Sequence, residues 1–162
     1  MLDEDENYNN RVNVSNLPLY KKGKEIQSVV HILAELMPEE NEHLQYLKGE
    51  MLGDAALLTV KVAGAEAAEL YDLKMEAATF IRKAACDLKI MNHSLEDFGF
   101  EHTEYFQIVR NLIEEYRLLF IDWVKGFDKW NYIIDRWGLF NPPGITPSDK
   151  DPDDYIPFNG FD

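Results

Sequence analysis

An all-α fold is the class this sequence predicts, and three observations carry that expectation. Apolar residues recur at three- and four-residue intervals in four successive stretches. Prolines fall between or beyond those stretches, where they stop helices. The 162 residues are 46% hydrophobic, enough for one domain with a real core.

Residues 1–17 carry Asp, Glu and Asn with little to bury, and are expected to form a mobile acidic arm ahead of Pro18. From Leu19 to Met37, Ile26, Val29, Val30, Leu33 and Met37 share one helical face, while Lys24, Gln27, His31 and Glu35 point away. Pro38 stops this first helix. Lys21, Lys22 and Lys24 at its start oppose the helix dipole, which leaves room for a basic contact.

The second helix is the unusual one. Leu44, Leu47, Met51, Ala55, Leu58 and Val62 form an ordinary core stripe, yet Tyr46, Gly53, Ala56, Leu57, Val60, Ala63, Gly64 and Ala67 occupy the opposite side. Glu50, Asp54 and Lys61 are left on a narrow strip between them. A helix apolar nearly all round is buried. In so short a chain its cover is either the rest of the bundle or a second copy of the protein.

Helical patterning without proline runs from Leu44 to about Asn92, a rod of about 75 Å that a compact domain cannot use. A break is therefore expected between Ala68 and Asp72, with Asp72 capping a third helix. That helix presents Leu73, Ala77, Phe80, Ile81, Ala84, Leu88 and Met91 to the core, and Met75, Thr79, Cys86 and Ile90 opposite. Residues His93 to His102 read as a loop, and Thr103 as the N-cap of a fourth helix. Its broad apolar face runs through Tyr105, Val109, Leu112, Tyr116, Leu119, Phe120, Trp123 and Phe127.

Trp130, Ile133, Ile134 and Trp137 continue at helical spacing, so residues 18–138 are taken as the bundle and 139–162 as an extended aromatic and Pro-rich tail. Tyr155, Ile156, Phe158 and Phe161 make that tail too apolar for a simple acidic appendage. A strap lying on its own bundle or on a neighbour fits equally well.

Charge and motifs narrow the function. Thirty acidic against 16 basic residues give a net charge of -14, which repels phosphate backbones and anionic lipid, so neither nucleic acid nor membrane is an expected partner. Cys86 is the only cysteine, which excludes an internal disulfide and a cysteine-based zinc site. Met1 to Asn10 lacks the basic and apolar segments of a secretory signal, so a cytoplasmic protein is expected. No phosphate loop or nucleophile elbow occurs. Glu40 and His43 give a single E-x-x-H at a helix end, where di-metal bundles need two in mid-bundle. Glu66 falls on the core side, where Arg82 or Lys83 is expected to pair with it. No catalytic residue, cofactor or metal is expected, and the chain is not read as an enzyme.

One resemblance adds to this. Leu19-Tyr20-Lys21-Lys22, the proline stop, Val62-Ala63-Gly64-Ala65-Glu66 in an Ala/Gly-rich second helix, and Phe80-Ile81-Arg82-Lys83-Ala84-Ala85 resemble the four-helix-bundle proteins encoded in 23S rRNA intervening sequences. That family includes the accessory variability determinant of diversity-generating retroelements. The likeness, over roughly Leu19 to Phe127, implies an antiparallel up-down-up-down four-helix bundle that assembles into rings, commonly pentamers. It also implies an alternative role, a retroelement accessory binding reverse transcriptase and RNA through Lys21, Lys22 and Lys24. The leading expectation is a non-enzymatic homo-oligomeric scaffold or accessory that binds another protein. Its interface would be built from Tyr46, Leu57, Val60, Gly64, Ala67, Trp130 and Trp137.

Overall fold

The computed structural model describes residues 14–151. Residues 1–13 of the expected acidic arm and 152–162 of the expected tail lie outside it. The described chain is helical, with α1 at Pro18–Glu35, α2 at Glu42–Ala67, α3 at Tyr71–Asp97 and α4 at Phe106–Lys125. A 3-10 turn at Thr103–Tyr105 leads into α4. None of these helices is long and apolar enough to cross a membrane.

Each boundary has a local cause. Pro18 occupies the first helical position of α1, where its missing N–H costs nothing. Asn41 caps α2: its Oδ1 accepts from Leu44 N at 3.1 Å while its Nδ2 donates to Phe98 O at 3.0 Å, which ties that cap to the far end of α3. Residues 68–70 run extended between α2 and α3, so the expected break is where it was placed. Asp72 does not cap α3. The cap position is Leu70, and Asp72 sits in the first turn with its Oδ1 buried and unpartnered.

The helices pack α1 on α2, α2 on α3, α3 on α4 and α4 back on α1. Between them lies the main core, formed by Ile26, Val30 and Leu33 of α1, the full Leu44 to Val62 stripe of α2, Ile81, Leu88 and Leu95 of α3, and Phe106, Val109, Ile113 and Tyr116 of α4. Three helices meet at a single point. The Tyr116 hydroxyl donates to Leu58 O at 2.8 Å, and a Cβ on Gly23 would lie 2.8 Å from that same oxygen. Glycine in α1 thus lets α2 approach closely enough for a phenol from α4 to lock it.

Several expectations fail in detail. The third helix does not end near Asn92 but continues to Asp97, because Leu95, one turn beyond Met91, is fully buried. Leu73 and Phe80, expected in the core, are exposed; Tyr71 and Ala78 are buried instead, in a second cluster with Phe127. Thr103 makes no cap bond. Glu66 is exposed and accepts from Trp123 Nε1 at 2.7 Å, so neither Arg82 nor Lys83 is its partner.

Residues 128–151 are neither a helical continuation nor an extended tail. The helical spacing of Trp130 to Trp137 is overridden by Asp135, whose Oδ1 accepts from Trp137 N and whose Oδ2 accepts from Leu139 N and Phe140 N at 2.8–2.9 Å. Arg136 clamps the returning chain through Pro147 O, Asp149 O and the Asp151 carboxylate. Gly138, at φ 77°, takes a backbone form few other residues adopt, and a Cβ there would strike Pro147 at 2.9 Å. The product is a compact pad fastened to the α2–α3 turn by Tyr71 N donating to Asn131 O and Asn131 Nδ2 donating to Glu69 O.

Candidate interaction surface

Around α2, the stripe facing away from the core is largely open. Tyr46 is 68% exposed and Val60 62%, with Gly64 and Ala67 also exposed. Leu57 differs from them: it is half-buried and packs against the core of its own chain. Gly49, Gly53 and Gly64 lie on or beside this stripe, and a Cβ added at any of them would meet nothing within 4 Å. A helical glycine costs about 1 kcal/mol relative to alanine. No contact among the described residues accounts for these three.

The pad adds aromatic surface at one end. Trp137 is 91% exposed and Trp130 67%, beside Ile133 and Leu139. Trp137, Leu139 and Phe140 face Asp72, Glu76, Thr79 and Phe80 of α3 across a cavity of about 430 Å³. The structure therefore sets Trp130 and Trp137 on a different element from Tyr46, Val60, Gly64 and Ala67.

The lysines of α1 are not equivalent. Lys22 is bonded to Glu25 at 2.7 Å and to Glu115 of α4 at 2.9 Å, and those hydrogen bonds hold its ammonium above the ordinary lysine range. It works as a tie between helices. Lys21 and Lys24 are exposed, with Lys24 over the Tyr20 ring.

Two features escape a sequence reading. Asp54 of α2 is pushed up to about 6, first by burial and then by Asp87 across the α2–α3 seam. Between α3 and α4 lies a groove of about 360 Å³, floored by Ile81, Ile113 and Phe120 and rimmed by Arg82, Lys89 and Arg117. Glu114 pairs with both Lys89 and Arg117, chiefly through its Lys89 hydrogen bond, which holds its carboxyl below the usual range. Cys86, the sole thiol, is exposed on the same groove.

His43 of the E-x-x-H stacks on Phe98 with ring centroids 4.6 Å apart. Among the described residues no three His, Cys, Asp or Glu side chains come together to hold a metal ion. Comparison of the chain with family models, curated proteins and solved structures finds no match in any of the three.

Proposed function

We propose that this chain is a non-enzymatic, homo-oligomeric helical scaffold, an antiparallel up-down-up-down four-helix bundle whose copies meet along the outer stripe of α2 and present the aromatic pad to another protein. The observation that carries this reading is the pairing of exposed Tyr46 and Val60 with three helical glycines that have open space above them. Small residues let a second helix approach closely, and apolar neighbours supply the area such contacts bury. Leu57 belongs to the bundle rather than to the interface, since its own core covers part of it.

The test is a substitution at a helical position that the described fold leaves open. In Gly53→Glu, the new Cβ meets no described residue within 4 Å, and glutamate raises helix propensity. A wild-type protein sedimenting as a multiple of 18.8 kDa, reduced to 18.8 kDa by Gly53→Glu with unchanged helicity, is the expected result. Wild type at 18.8 kDa over the whole micromolar range would refute it.

A further inference from the structure

We infer that the groove between α3 and α4 is the seat of the chain's own residues 152–162, an acidic aromatic segment laid across its own bundle. The inference stands apart from the assembly proposed above.

Three observations lead to it. First, the groove is an apolar concavity between two helices: Ile81, Ala85, Ile113 and Phe120 floor it, and about 360 Å³ is the size of a site that holds a few large side chains. Second, its rim reverses the charge of the molecule. A chain with 30 acids and 16 bases places Arg82, Lys89 and Arg117 here against one carboxylate, Glu114. Arg82 is exposed and forms no ion pair with a described residue, so the rim keeps a cation to spare. Third, residues 152–162 carry the complement: Tyr155, Ile156, Phe158 and Phe161 with Asp153, Asp154 and Asp162, and no lysine or arginine.

Reach favours the same copy. Asp151 is fixed to the pad, its carboxylate accepting from Ile134 N at 2.8 Å and contacting Arg136. The pad abuts Thr79 and Phe80 of α3, and Arg82 on the groove rim is one helical turn beyond Thr79. Four residues of extended chain carry Tyr155 about 13 Å from Asp151, and the stretch to Phe161 adds about 20 Å. The groove along α3, Ile81 to Lys89, is about 12 Å long.

Cys86, unique and on the groove, makes the full chain its own reporter. A nitroxide attached there should broaden the amide signals of Tyr155 to Phe161 in a sample where label and observed nuclei share one molecule. Arg82→Glu should weaken that broadening. Should the nitroxide itself displace the segment, the unlabelled thiol still reports: its modification rate should rise about tenfold in the double variant Tyr155→Ser, Phe158→Ser, as a mostly closed site opens. Broadening seen only between labelled and unlabelled molecules would assign the segment to a neighbouring copy and overturn the inference. Broadening confined to residues 1–13 would overturn it too, as would no broadening with an unchanged thiol rate.

Discussion

Gly23, Leu58 and Tyr116 meet where α1, α2 and α4 cross, and each can be changed singly. In Gly23→Ala the new Cβ would sit 2.8 Å from a backbone oxygen that cannot swing aside. Displacing it costs about 1–3 kcal/mol against about 1 kcal/mol of helix propensity, so chemical denaturation should show a net loss of about 1 kcal/mol. Tyr116→Phe removes only the hydroxyl bond to Leu58 O, and should cost about 1 kcal/mol by the same measurement. Asp54 works in the opposite sense. Burial raises its folded value to about 6 from 3.8, so stability falls as pH climbs between those values and is level above. Asp54→Asn should therefore be the more stable protein at pH 7.5. Discounted for the water that still reaches the side chain, the gain is about 1 kcal/mol, fading as pH falls from about 6 and gone below about pH 4 in pH-resolved melts.

At the scale of elements, the pad is held by side chains rather than by regular structure. Backbone N–H groups of Phe140, then Trp137 and Leu139, hold Asp135 below its ordinary 3.8. The bonds it anchors are present above that value and lost as pH falls through the depressed one. Asp135→Ala should open residues 135–151 to trypsin at Arg136 and Lys150, while the helices melt as before. This element also marks how far sequence reasoning reaches. The core stripe of α2 was legible because Leu44, Leu47, Met51, Ala55, Leu58 and Val62 repeat on one side, and all six are buried. The pad was not, since Trp130, Ile133, Ile134 and Trp137 mimic a helix and only the three-dimensional reach of Asp135 shows otherwise. The end of α3 was obscured in the same way, with polar His93, Ser94 and Asp97 hiding the buried Leu95. The α3–α4 groove depends on how far apart two helices stand, which no periodicity encodes. On the outer side of α2, Tyr46, Val60, Gly64 and Ala67 are exposed, whereas Leu57 packs at the core's margin, a difference that periodicity alone does not draw.

Across the whole molecule, charge opposes association. Copies carrying -14 each repel at long range, and that repulsion weakens as the Debye length shortens from about 30 Å at 0.01 M salt to about 8 Å at 0.15 M. Contact along an apolar, glycine-lined stripe does not weaken with it. Association should therefore tighten as salt is raised, whereas an assembly held by ion pairs would loosen. Sedimentation equilibrium of the full chain at micromolar concentration, run at low and at physiological salt, is the most direct measurement. A mass that is a multiple of 18.8 kDa, better populated at the higher salt and collapsing to one chain in Gly53→Glu, is the expected result. A single 18.8 kDa species under every condition would contradict the assembly.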